Sequence, residues 1–323
     1  MSEDFLEGMA ASSRERSHAA QALTSQADLL AMALDTPEPP QLKASAGGFD
    51  LIAEVKLRSP AVGMLKGGDE NVGARVTSYA SAGAAAISVL TEPTRFDGSM
   101  EHLRLAAKAL TPLRVPAMRK DFLVDPYQVI EARTAGAGGV LLILRMLPRK
   151  QIEAMIEQAL DLKLFALLEA FDEQDIELAD ALTEKYARES SRTELLVGVN
   201  CRDLVTLKVV PGRLEALAHL LPKRVPRVAE SGVGNGEDAR RVAAAGYDLA
   251  LVGSALMTAP DPRAMGAEML EGGRAGHAEY TTRADARAMG NAAATSAASA
   301  AGPANAGRTS AAASSPPGKP RGA

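Results

Sequence analysis

The chain is predicted to be an α/β protein, a (β/α)8 TIM barrel with a helical extension before it and a disordered tail after it. Three observations carry this. Short apolar runs suited to buried parallel strands alternate with helical stretches about eight times between residues 50 and 271. A glycine-headed junction recurs before three of the runs: S-A-G-A-A-A-I-S-V-L at 81–90, T-A-G-A-G-G-V-L-L-I at 134–143 and A-A-G-Y-D-L-A-L-V-G at 244–253. Self-similarity of this kind marks an internal repeat. Charged and polar residues gather at the carboxyl ends of the runs, where barrels of this class place their chemistry. The rival architecture, an open doubly wound sheet, lacks support because no G-x-G-x-x-G turn follows the first strand.

Composition bounds the rest. The chain has 323 residues, 46% hydrophobic, with 3% aromatic residues and no Trp. Its helices must therefore pack through Ala, Leu, Val and Met. A net charge of −4 gives no reason to expect nucleic acid or an acidic membrane as partner. One Cys excludes an internal disulfide and suits a reducing compartment. No run is long and apolar enough to span a bilayer, and the acidic start M-S-E-D-F-L-E-G lacks a basic-then-apolar leader pattern. A cytoplasmic protein, monomeric or weakly dimeric, is the expectation.

Residues 1–47 are expected to form a separate helical extension, with Phe5, Leu6, Met9, Leu23, Leu29 and Leu30 spaced for one or two helices before Pro37, Pro39 and Pro40 break the chain. The barrel is expected over 48–274. Strands are placed near 50–56, 85–90, 115–120, 139–143, 163–169, 195–200, 227–231 and 249–253. Helices fill the gaps at 70–82, 99–110, 126–135, 149–161, 172–187, 212–220, 235–245 and 262–271. Asp125-Pro126 is a cap followed by proline at the first helical position, and Pro148 and Pro262 also suit helix starts. Gly83, Gly136 and Gly246 suit the left-handed residue that ends a helix. Residues 275–323 are rich in Ala, Ser, Gly and Pro and are expected to be disordered, because they offer too little apolar surface to offset their ordering entropy.

The first strand, L-I-A-E-V-K-L-R-S-P at 51–60, carries Glu54 and Lys56 on the same face as Ile52. Two opposite charges there are costly to bury unless paired or used. The other strand ends repeat the pattern, with Lys120 and Phe122 after the third, Glu169 after the fifth, Asn200 and Arg202 after the sixth, and Glu230 after the seventh. Ser231-Gly232 and Gly253-Ser254, after the last two strands, offer small side chains and backbone N–H groups where such barrels grip phosphate. The four histidines, His18, His102, His219 and His277, fall away from the strand ends and lack ligand spacing, so no metal is expected. Cys201 has no His or Cys companion and reads as a packing residue.

In this order the motifs I-A-E-V-K-x-x-S-P (52–60), S-V-L-T-E-P-T-R-F-D-G-S (88–99), R-K-D-F-L-V-D-P-Y-Q (119–128), L-L-E-A-F-D-E (167–173), G-V-N-C-R-D-L (198–204), A-E-S-G-V (229–233) and L-V-G-S-A-L-M (251–257) resemble the indole-3-glycerol phosphate synthase family. The resemblance spans about Gly48 to Pro262. It departs at Ala61-Val62, where the family usually has Ser-Lys, and the long tail is not a family feature.

The resemblance implies a carboxy-lyase of tryptophan biosynthesis that turns 1-(2-carboxyphenylamino)-1-deoxyribulose 5-phosphate into indole-3-glycerol phosphate, releasing carbon dioxide and water without metal or organic cofactor. It implies Lys120 as general acid for ring closure, Glu169 as proton acceptor or donor in later steps, and Lys56 as charge stabiliser and acid in dehydration. It further implies Glu54 orienting a lysine, Asn200 on a substrate hydroxyl, Arg202 and Glu230 in support, and Ser231, Gly232, Gly253 and Ser254 on the phosphate. Ser59 belongs to the first loop, while Phe122, Leu90 and Leu141 would wall the aromatic ring. Carboxylates around a lysine in a water-poor mouth are expected to tune it towards a working pKa. Two alternatives remain at this point: another phosphate-gripping barrel, such as the isomerase one step earlier, and a non-catalytic relative.

Overall fold

The computed structural model describes residues 2–60, 63–65, 70–187, 194–203 and 206–300, with side chains from residue 5 to residue 286. Eight strands close on themselves: β1 (Asp50–Val55), β2 (Ala86–Leu90), β3 (Ala117–Lys120), β4 (Gly139–Ile143), β5 (Phe165–Ala170), β6 (Leu195–Asn200), β7 (Arg227–Glu230) and β8 (Leu249–Val252). Every neighbouring pair is parallel, and β8 returns to β1 with Asp50 opposite Leu249 and Ala53 opposite Val252. Each strand end lies within a residue or two of its expected position.

Alternation of side chains divides the core in two. Leu51, Ala53 and Val55 face outwards into the layer between strands and helices. Ile52, Met118, Leu141, Phe165, Leu167, Leu196, Val228 and Leu251 meet inside the barrel. Phe165 fits there because Gly139 opposite it has no side chain: a Cβ on Gly139 would stand 2.4 Å from the Phe165 ring.

The helices are set by local signals. They are α1 (Ser2–Leu23), α2 (Gln26–Asp35), α3 (Val72–Ser81), α4 (Pro93–Phe96), α5 (Met100–Leu110), α6 (Pro126–Thr134), α7 (Arg149–Asp161), α8 (Glu173–Tyr186), α9 (Arg213–Leu217), α10 (Gly236–Ala245), α11 (Ser254–Thr258) and α12 (Pro262–Ala300). Side chains of Ser25, Asn71, Glu92, Ser99, Asp125, Asp172 and Asn235 accept hydrogen bonds from first-turn amides of their helices. The glycines of the repeated junction adopt the expected left-handed backbone, with φ of 98° at Gly83, 84° at Gly136 and 111° at Gly246. The expected helix over 212–220 is shorter: α9 gives way to a 3-10 turn at Ala218–Leu220. Several short elements go beyond expectation: helix α4, helix α11 directly after β8, 3-10 turns at Thr111–Leu113 and Leu144–Met146, and a two-residue ribbon pairing Arg58–Ser59 with Gly63–Met64. Ala61-Val62 lies outside the described residues.

The start of the tail lies further along the chain than expected. The chain forms one unit over Met1–Thr281 and a second over Thr282–Ala323. The helix expected over 262–271 is α12, and residues 275–281, expected to be disordered, belong to the first unit. A Cβ on Gly273 would stand 1.9 Å from the Phe49 ring, and one on Gly276 would stand 2.1 Å from the Arg240 carbonyl. The Arg227 guanidinium lies 5.4 Å from the Tyr280 ring centroid, and Arg240 pairs with Glu279 at 2.5 Å. Composition misled because it counts large apolar side chains. Here glycines bring backbone against the barrel, and alanine supplies helix propensity. Residues 301–323 lie outside the described residues.

Candidate active site

Every site residue named from the sequence lines one cavity at the carboxyl ends of the strands: Glu54, Lys56, Ser59, Lys120, Phe122, Glu169, Asn200, Arg202, Glu230, Ser231, Gly232, Gly253 and Ser254. Leu90 and Leu141 line it too. Strand register explains the convergence. Lys120 lies opposite Leu90, Glu169 opposite both Ile143 and Gly198, and Asn200 opposite Glu230.

Two lysines and three carboxylates make up the floor. Lys56 Nζ stands 2.6 Å from Glu54 Oε1. Lys120 Nζ stands 3.2 Å from Glu230 Oε2 and 4.0 Å from Glu54 Oε2. Asn200 Nδ2 donates to Glu169 Oε1, while Asn200 Oδ1 accepts from the Arg202 amide at 2.9 Å. Asn200 therefore fixes Glu169 on one side and the loop after β6 on the other. Glu230 Oε1 is buried without a hydrogen-bond partner among the described residues.

Charge and burial compete here. Burial opposes ionisation of Glu54, but Lys56 and Lys120 outweigh it and hold the carboxyl below its ordinary range. Burial also opposes the charge on Lys120, yet Glu169, Glu230 and Glu54 outweigh it and raise the lysine above its ordinary value. The tuning expected from sequence thus has the opposite sign: the surrounding carboxylates, Glu169 foremost, keep this ammonium protonated. Glu230 is pushed up to about 8, first by burial and then by the like charge of Glu169, against the pull of Lys120.

At the rim after β7 and β8, Ser231 and Gly232 both adopt left-handed backbone, with φ of 65° and 74°. A Cβ on Gly232 would stand 3.2 Å from Val209. Gly253 precedes α11, and a Cβ there would stand 2.2 Å from Glu54 Oε1 and 2.8 Å from Lys56 Nζ. These turns bring small residues and backbone amides to one side of the cavity.

Aromatic side chains line the other side. Phe122 meets Phe5 edge-on at 6.0 Å and Phe96 at 6.2 Å. Phe5 belongs to α1, so the helical extension supplies part of the cavity wall. Sequence reasoning missed Phe5, Phe96, Asp121, Arg16 and Gly198. One signal was available: on the face of α1 that begins Phe5, Leu6 and Met9, the next turns carry Ser13, Arg16 and Ser17, so an apolar stripe turns polar where it meets the barrel.

Comparison with known proteins agrees with this geometry. The chain is 40% identical over 262 residues to the indole-3-glycerol phosphate synthase of Nocardioides sp. (strain ATCC BAA-499 / JS614), covering 80% of this chain and 94% of that protein. It is 37% identical to the enzyme of the same name from Mycolicibacterium gilvum (strain PYR-GCK), covering 84% and 94%. Among solved structures, the barrel resembles 3-hexulose-6-phosphate synthase from Salmonella typhimurium, with TM-score 0.53 and 16% identity over 70% of this chain and 98% of that one. It also resembles thiamine phosphate pyrophosphorylase from Pyrococcus furiosus, with TM-score 0.51 and 20% identity over 71% and 98%; at these identities the likeness concerns the fold alone. The sequence profile described as indole-3-glycerol phosphate synthase matches residues 7–269, and the chain belongs to that family.

Proposed function

We propose that Lys120 delivers the proton that closes the indole ring, in the conversion of 1-(2-carboxyphenylamino)-1-deoxyribulose 5-phosphate to indole-3-glycerol phosphate. The observation that carries this is the placement of the Lys120 ammonium between Glu230 and Glu54, in the cavity that Glu169 also lines. An ammonium kept charged by its neighbours donates to a ketone oxygen as negative charge develops there, when the aromatic carbon attacks. A carbon–carbon bond forms, carbon dioxide then leaves the ring carbon, and loss of water completes the indole.

The other roles follow from position. Glu169, held by Asn200, takes or returns a proton after closure. Lys56, paired with Glu54, stabilises charge and assists loss of the hydroxyl. Asn200 contacts a substrate hydroxyl, and Arg202 adds positive charge beside it. Ser231, Gly232, Gly253 and Ser254 hold the phosphate through backbone amides and hydroxyls, and that remote anchor orients the reacting end. Phe122, Leu90 and Leu141 pack the aromatic ring, and Ser59 approaches from the first loop. Cytoplasmic residence, which the phosphorylated substrate and the one buried thiol favour, belongs to the same reading.

Incubating the protein with the substrate and following indole fluorescence tests the reading. The parent should turn over, and Lys120→Ala should lose turnover while remaining folded. Activity of Lys120→Ala within a few-fold of the parent would overturn the assignment.

A further inference from the structure

Asp121 follows Lys120 directly, and its side chain is fully enclosed. Its carboxylate is saturated from four directions. Arg16 Nη1 and Nη2 each donate at 2.9 Å, one to each oxygen. Thr91 Oγ1 donates to Oδ2 at 2.8 Å, the Phe122 amide to Oδ1 at 2.8 Å, and Arg119 Nη2 to Oδ2 at 3.4 Å. One carboxylate thus ties α1, the end of β2 and the segment carrying Lys120 and Phe122.

Further bonds reinforce the tie. Gln128 Nε2 donates to Ser13 Oγ at 2.9 Å, while Gln128 Oε1 accepts from the Val124 amide at 2.8 Å. The Tyr127 hydroxyl lies 3.1 Å from the Ala20 carbonyl and 3.0 Å from that of Thr24. The same helix that makes these contacts places Phe5 against Phe122 in the cavity.

Docking of α1 has an apolar source besides this polarity. Leu6, Met9 and Ala10 already bury an apolar face, and enclosing an ion pair is costly enough that apolar replacements often stabilise a protein. What a two-pronged pair adds is orientation, because a guanidinium fork fixes a carboxylate in plane as a lysine does not.

We propose that Arg16 is a positioning residue for Lys120: by gripping Asp121 it makes closure of the cavity by α1 and alignment of the ammonium a single event. The inference rests on the role given to Lys120 above, and the two fail separately. An active Lys120→Ala sinks the first reading, whereas an inactive Lys120→Ala beside a fully active Arg16→Ala sinks only this one.

The test is steady-state turnover of Arg16→Ala in the full chain, with kcat and KM resolved, alongside thermal melting. Arg16 is partly exposed, so free guanidinium can reach the space its side chain leaves. We expect kcat to fall about tenfold or more, KM to change less, and guanidinium chloride well below denaturing concentrations to restore part of the kcat. A role confined to holding the fold together would respond to guanidinium by loss alone. A kcat within about twofold of the parent, or a lowered kcat that guanidinium leaves unchanged, overturns the proposal. Should Arg16→Ala not fold, Arg16→Lys carries the test. It keeps the charge and loses the fork, so a kcat at least about threefold below the parent at an unchanged melting point supports positioning, and parental kcat refutes it.

Discussion

Gly198 sits in β6 between Glu169 of β5 and Val228 of β7, and it touches the site only through what it lacks. A Cβ built there stands 2.2 Å from Glu230 Oε1, whereas Cβ contacts below 3.0 Å essentially do not occur. Gly198→Ala must therefore move the Glu230 carboxylate by at least about 0.8 Å, the difference between those two distances. Leu167 Cδ1, at 3.2 Å, closes off one direction of relief. Glu230 is the nearest carboxylate to Lys120, so the ammonium loses its alignment with the carboxylate. Misplacement of a reacting group on the order of 1 Å costs about 100-fold in rate. Stability should suffer much less: overpacking costs about 1–3 kcal/mol, and alanine partly offsets this because glycine weakens a strand interior. The assay is kcat by indole fluorescence beside a thermal melt. We expect kcat to fall about 10- to 100-fold with a shift of only a few degrees. Parental kcat in a folded Gly198→Ala would refute the claim that Glu230 sets the position of Lys120.

Ser231→Asp should raise KM by about tenfold or more with a smaller change in kcat, since aspartate tolerates the left-handed backbone at this position and brings like charge to the anion site; an unchanged KM removes the phosphate from this turn. Burial and the like charge of Glu169 push Glu230 up to about 8 from an ordinary 4.5. Between those values the folded state holds a proton that the unfolded chain has lost, so this group's contribution to stability declines as pH rises through the window. Thermal midpoints of the parent should accordingly fall more from about pH 5 to about pH 8.5 than those of Glu230→Gln, and parallel curves would contradict this. Ending the chain at Thr281 should leave melting and turnover unaltered. Ending it at Met269 removes buried Leu270, the Arg227–Tyr280 stacking and the Arg240–Glu279 pair, and should lower the midpoint by about 4 °C or more; equal midpoints for the two truncations would show that residues 270–281 add nothing.

The barrel was legible because its instructions are local. Strand alternation, capping side chains ahead of seven helices and left-handed glycines at 83, 136 and 246 are each written within a few residues. The rim residues were legible for a related reason: charges such as Glu54 and Lys120 at the ends of apolar strands violate the surrounding pattern, and the fold class says where strand ends meet.

Other features were invisible from any single stretch. Arg16 and Asp121 are separated by 105 residues, so no spacing rule joins them. Whether Lys120 gains or loses basicity depends on how many carboxylates the closed sheet brings near it, a balance of burial against charge that strand order alone does not decide. The packing of α12 rests in part on Gly273 and Gly276, whose contribution is the close approach of another group, visible only once that group is in place. Local patterns draw the elements and mark the chemistry because they act over one turn or one pleat. Long-range contacts set distance, protonation and docking, because those depend on neighbours that only the folded chain supplies.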